Sequence, residues 1–102
     1  MESLTALADP TRRRIVEALS AGALSSGEIA SRFPISAPAV SQHLKTLREA
    51  HLVKVRVEAQ RRIYELDPAG VAELSAWVDR IRRFWGPRLD ALDAQLRKEP
   101  RP

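Results

Sequence analysis

Pro38, Ser41, Gln42 and Lys45 form the group of side chains in this sequence best equipped for chemistry. On a 3.6-residue period they share one side of a segment. Its other side carries Val40, Leu44 and Leu47 at i, i+4 and i+7. A Gln amide offers an adenine edge a donor and an acceptor together. A Ser hydroxyl bonds to base or phosphate, and a Lys ammonium reaches guanine acceptors or a phosphate. Ser36 is the N-cap of the same segment and Pro38 sits in its first turn, so the helix start, with its unpaired N–H groups, can approach a phosphate backbone. His43 lies on the flank between the two sides, where packing, a local hydrogen bond and a nucleic-acid contact all remain open. An isolated face of this kind is more simply a solvated helix surface; the basic segment immediately after it in the chain shifts the reading.

The elements around this face are those of a reading head. Ser25 and Glu28 have the spacing of a capping box, Ile29 anchors the short helix they open, and Phe33-Pro34-Ile35 stops it. The second helix, 36–49, gives way to the alternating run Val53 to Glu58, in which Val53, Val55 and Val57 point one way and Lys54, Arg56 and Glu58 the other. A turn at Ala59-Gln60 returns the chain through Leu66, giving a hairpin wing over 53–66 with Arg61 and Arg62 at or near its tip. A guanidinium there can enter a minor groove or fork onto a phosphate, and it also discourages edge-to-edge pairing. Arg61 is the residue expected to make contact. One helix for the major groove and a basic hairpin beside it form a DNA-binding arrangement.

Composition narrows the function further. The chain has 102 residues, 44% of them hydrophobic, and a net charge of +4, which suits one small globular domain over 1–102. The charge is concentrated: Arg32, Lys45, Arg48, Lys54, Arg56, Arg61 and Arg62 stand against only Glu49 and Glu58 between positions 32 and 62. Such a patch favours nucleic acid through counterion release. No cysteine is present, which excludes disulfides, thiolate metal sites and thiol redox sensing within the chain. No apolar run approaches membrane-spanning length, and no secretory signal is visible, so the expected location is cytoplasmic. Catalysis is rejected. There is no glycine-rich phosphate loop and no HExxH, and Ser41 and His43 stand at i and i+2 of one helix and do not face each other.

The flanking segments point to a second copy of the chain. Residues 2–8 form a short helix presenting Leu4 and Leu7, and Asp9-Pro10 opens a helix with Ile15, Val16 and Leu19 on its buried side. Arg12-Arg13-Arg14 on that helix reads mainly as solvated surface. Asp67-Pro68 opens a long helical region to about Leu96 in which Val71, Leu74, Val78, Ile81 and Trp85 repeat at 3-4 spacing. Gly86-Pro87 interrupts it as a kink or a break, and Leu89, Leu92 and Leu96 resume the stripe. This apolar stripe is too long for one small head to cover, so a dimer interface is expected from Leu4, Leu7, Val71, Leu74, Val78, Ile81, Trp85, Leu89 and Leu92. Trp77, Phe84 and Trp85 read first as part of that interface and second as a pocket for an apolar effector. Lys98 to Pro102 are expected to fray.

Three stretches carry a family resemblance. LADPTRRRIVEAL (Leu7 to Leu19), ISAPAVSQHLKTLREAHLV (Ile35 to Val53) and VEAQRRIYELDP (Val57 to Pro68) resemble the opening helix, recognition helix and wing of the ArsR/SmtB group of bacterial winged-helix repressors. FWGPRLDAL (Phe84 to Leu92) resembles a cysteine-poor subgroup of it. Ala59 stands where such proteins often have Gly. The resemblance implies a mainly α winged helix-turn-helix with a small β-hairpin, dimeric. It further implies a cytoplasmic repressor of its own operon, bound to a near-palindromic duplex DNA operator and released by some signal. Metal sensors of the group carry a cysteine pair where this chain has Ser25 and Gly27, and His43 and His51 lie outside the C-terminal helix, so no metal or other cofactor is expected. The DNA-contacting set is Ser36, Pro38, Ser41, Gln42, His43, Lys45, Arg61 and Arg62. The competing reading is a winged-helix module for protein–protein contact, with the basic hairpin as mere solubilising surface.

Overall fold

Capping chemistry decides where the helices begin. The structure, a computed structural model, describes residues 1–98; past Lys98, the expected fraying lies outside the described residues. After the short helix α1 (Glu2–Ala6), Asp9 accepts the Arg12 N–H at 2.9 Å and Pro10 fills the first position of α2 (Pro10–Ser20). A two-residue strand, β1 (Leu24–Ser25), leads into α3 (Ser26–Arg32). There the Ser25 hydroxyl accepts the Glu28 N–H at 3.1 Å while the Glu28 carboxylate accepts the Ser25 N–H at 3.0 Å, completing the capping box. Phe33, at φ −122° and ψ 139°, adopts the extended conformation that Pro34 imposes, and α3 ends. Ser36 then caps α4 (Ala37–Glu49) by accepting the Ala39 N–H at 3.2 Å.

The end of α4 is tightly specified. His51 N–H donates to the Arg48 carbonyl and Leu52 N–H to the Leu47 carbonyl, both at 3.0 Å, with His51 in the left-handed region at φ 60°. This is a Schellman closure, built on histidine where glycine is the usual residue. The strand β2 (Val53–Glu58) leaves from it, turns at Ala59-Gln60, and returns as β3 (Arg61–Leu66). β3 is central in a three-stranded antiparallel sheet, pairing Val57 with Arg62 and Glu58 with Arg61 on one edge and Leu24 with Tyr64 on the other. β1 leaves no mark in the sequence, because two residues are too few to show alternation. The alternation of Val53, Val55 and Val57 is present but only its base is covered: Val53 is 1% exposed and Val57 69%, because the hairpin projects away from the core.

The core gathers Ile15, Leu19, Ile29, Val40, Leu44, Leu47, Leu52 and Val53 with Ile63 and Tyr64. Each large apolar side chain buried there contributes about 1.5–3 kcal/mol. The expected core residues of α4 are thus in place; Val16 of α2 is only half-buried.

The last helix, α5 (Pro68–Lys98), starts where Asp67 accepts the Ala69 N–H at 3.0 Å. Gly70 is buried, and a Cβ there would stand 1.7 Å from the His51 carbonyl oxygen, so glycine is what lets this turn lie against the end of α4. The interruption expected at Gly86-Pro87 is not a break: α5 runs through Pro87. Proline removes one N–H from the ladder. At the next residue, the Arg88 guanidinium donates to the Phe84 carbonyl at 2.8 Å and lies 4.1 Å from the Phe84 ring centroid. The described residues divide into two compact units, the second beginning at Glu73. Along α5, Val71, Leu74 and Trp77 are half-buried, whereas Val78, Ile81, Phe84, Trp85, Leu89, Leu92 and Leu96 are exposed.

Candidate nucleic-acid interface

The outward face of α4 is open along its length. Ser36, Pro38, Ser41, Gln42 and Lys45 are all exposed. Ser36 spends one lone pair on its cap. The side chains of Ser41, Gln42 and Lys45 have no protein hydrogen-bond partner among the described residues, so their donors and acceptors face solvent. That is the state a base-reading surface requires before it meets DNA.

His43 lies on the flank of this face. Its ring is half-buried, with Nδ1 3.4 Å from an Arg12 guanidinium nitrogen and 4.0 Å from the Asp9 carboxylate. Arg12 also donates to the Ala6 carbonyl at 2.6 Å, so this one side chain ties the end of α1 to the flank of α4. The Asp9 carboxyl is held below its ordinary value, chiefly by the Arg12 backbone N–H it accepts. Among the roles open to His43, the geometry shows a side-chain contact with Arg12 of α2.

The wing separates its two tip arginines. Neighbouring residues of a strand point to opposite faces. Arg61 reaches back to α3, donating to the Glu28 carboxylate at 3.0 Å. The same Glu28 oxygen accepts the Ser25 N–H, so the capping box and the wing share one acceptor. Glu28 is thereby kept below the usual carboxylate range, first by the Ser25 N–H and hydroxyl and to a smaller extent by Arg61 and Arg32. On the wing's body, Arg56 pairs with Glu58 at 3.3 Å and Glu65 at 3.2 Å, and Lys54 with Glu65 at 3.9 Å. Arg62 has no ion pair among the described residues.

Arg62 instead lines a cleft of about 440 Å³ together with Ser26, Ser41, Lys45, Arg48 and Tyr64. Three expected contact residues, Ser41, Lys45 and Arg62, therefore meet in one place, while Arg61 does not join them. Ser26, Arg48 and Tyr64 were not among the expected contacts. Arg48 is one turn beyond Lys45 and was legible by spacing; Ser26 and Tyr64 depend on how β3 packs, which no local pattern reveals. No group of three or more metal-ligating side chains occurs among the described residues, and none of their helices is long and apolar enough to cross a membrane.

Comparison with known proteins gives this geometry a context. A helix-turn-helix domain model matches residues 7–56. The chain is 55% identical over 80 residues to the HTH-type transcriptional regulator Rv2034 of Mycobacterium tuberculosis, covering 78% of this chain and 72% of that protein. It is 34% identical over 73 residues to the transcriptional repressor SdpR of Bacillus subtilis, covering 72% of this chain and 81% of that one. Among solved structures, a possible transcriptional regulator for arsenical resistance superposes with a TM-score of 0.76 at 43% identity, over 93% of this chain and 96% of the other.

Proposed function

The chain belongs to the ArsR family of DNA-binding transcriptional regulators, and on that premise we propose that it is a homodimeric repressor of its own operon, bound to a near-palindromic operator. Each protomer lays α4 in a major groove, where Gln42 reads a base edge and Ser41 and Lys45 bond to base or backbone, with the wing on the adjacent strand. Ser36 and Pro38 bring the start of α4 close to a phosphate. His43 takes no base; it holds α4 against α2 through Arg12.

The observation that carries this reading is the set of exposed, unpartnered polar side chains on α4 beside three cations without acidic partners. Dimerisation follows from α5. Val78, Ile81, Trp85, Leu89 and Leu92 recur on one face and are exposed in the single chain, an apolar surface that a second copy would cover. Leu4, Leu7, Val71 and Leu74 are assigned to the same interface with the second copy. A two-fold pair sets its recognition helices about 34 Å apart, one turn of DNA. The protein acts in the cytoplasm as a single functional unit, without a metal or other cofactor, and a signal of unassigned chemistry releases it.

Base-substitution binding tests the reading. Gln42→Ala should cost about 1–3 kcal/mol on the best site and flatten preference at one position of each half-site. A preference profile unchanged by that substitution would remove Gln42 from the reading surface. A promoter–reporter pair with the gene deleted and restored gives the sign of regulation: restored protein lowers expression in a repressor and raises it in an activator.

A further inference from the structure

We propose that the cleft between α4 and the wing is a phosphate clamp for the DNA backbone, built by Lys45, Arg48 and Arg62 with the hydroxyls of Ser26 and Ser41, and that Arg62 rather than Arg61 is the wing's phosphate-binding arginine. The inference rests on the DNA-binding reading and adds to it the ligand, the residues and a division of labour within the wing.

Three observations converge. First, the cleft is lined by three cations and no carboxylate. None of the three pairs with an acid among the described residues, although the chain's other hairpin cations, Lys54, Arg56 and Arg61, all do. Cations held near one another without a counter-charge repel, and an anion entering among them relieves that repulsion. Second, the remaining donors suit a phosphodiester. Two hydroxyls and a guanidinium fork can bond to non-bridging oxygens. Third, the two arginines differ in their partners. Both border a shallow cleft beside Ser25 and Gln60, but only Arg62, on the face of β3 that carries Tyr64, also lines the cleft against α4, and Arg61 is already engaged by Glu28. To bind a phosphate, Arg61 would have to abandon a carboxylate at 3.0 Å, whereas Arg62 gives up only water.

Glu28 then has a positioning role. It pins the base of the wing tip to the start of α3, so Arg62 is presented at a fixed place instead of on a loose loop.

Salt dependence of binding to a selected duplex is the test, measured for the full chain and for Arg62→Gln, Arg48→Gln and Arg61→Gln. Each phosphate contact contributes about 0.9 to the log–log slope. Arg62→Gln and Arg48→Gln should each flatten it by about 2 across a dimer, and the base-preference profile should stay as in the wild type. Arg61→Gln should leave the slope unchanged within about 0.5. Circular dichroism confirms that each exposed variant is folded, and Arg62→Lys, which keeps the charge, should restore most of the slope. Equal slopes for wild type and Arg62→Gln, or a larger loss at Arg61, would overturn the clamp while leaving DNA binding intact. Wild-type protein that selects no duplex at all would instead defeat the reading beneath it. Saturable binding of inorganic phosphate to the DNA-free protein at constant ionic strength, lost in Arg62→Gln and displacing DNA, would assign the cleft to a free anion and overturn the clamp.

Discussion

Gly70→Ala should destabilise the protein although it places a better helix former inside a helix. Propensity alone favours alanine by about 1 kcal/mol at such a position. Sterics decide the sign. The new Cβ would stand 1.7 Å from the His51 carbonyl oxygen and 2.5 Å from its carbon. Both are backbone atoms, and they belong to the Schellman closure that ends α4, so they cannot rotate aside. Restoring van der Waals separation needs a shift of roughly 1.5 Å between the first turn of α5 and that closure. Such a shift breaks the hydrogen bond from Asp67 N–H to the Leu52 carbonyl, now 2.9 Å, worth about 0.5–1.5 kcal/mol. Overpacking of this kind costs about 1–3 kcal/mol or more. After the propensity gain the net loss is about 2 kcal/mol, a fall in Tm of roughly 10 °C for a domain of this size. Urea and thermal unfolding followed by circular dichroism, at fixed protein concentration, measure it. Gly86→Ala is the reference, since nothing lies within 4 Å of its added Cβ; it should change stability by less than about 1 kcal/mol. A Gly70→Ala protein as stable as wild type would refute the close-packed junction.

The wing turn, the capping box and the α5 stripe can be tested in the same way. Ala59 holds φ 54° at the wing turn, so Ala59→Gly should raise stability by up to about 1 kcal/mol in a urea melt. Glu28 is depressed below 4.5 in the folded chain, so its contribution is fully present above that value and is lost as pH falls through the folded pKa. Acid titration of stability should accordingly be shallower below pH 4.5 in Glu28→Gln than in wild type, and parallel curves would contradict the shared capping and wing contact. Ile81→Asp or Leu92→Asp should leave the head folded yet give monomers by sedimentation and abolish specific binding. A well-folded wild-type monomer at micromolar concentration would contradict the dimer.

The parts legible in the sequence are those governed by local rules. Ser25 with Glu28, Asp9 with Pro10 and Ser36 with Pro38 mark helix starts because caps act within four residues. Val40, Leu44 and Leu47 mark a buried face because a helix repeats regularly. Features that stay hidden depend on distant partners. β1 exists only because β3 offers Leu24 and Ser25 a ladder, and Arg61 and Arg62 have local surroundings too alike for sequence to show which of them meets Glu28. Only the register of the sheet and the position of Glu28 tell the two apart. His43 is ambiguous in sequence for the same reason, since Arg12 lies 31 residues away in the chain. Pro87 reads as an interruption of α5, yet the helix tolerates one missing N–H.

Selection of bound duplexes from random DNA is the decisive measurement. The wild-type protein should enrich an inverted repeat whose half-sites are centred about one helical turn apart, ~34 Å. Gln42→Ala should select the same repeat with one position of each half-site degenerate. Failure of the wild-type protein to enrich any sequence, or enrichment of one unrepeated element by a monomer, would contradict a dimeric reader of DNA.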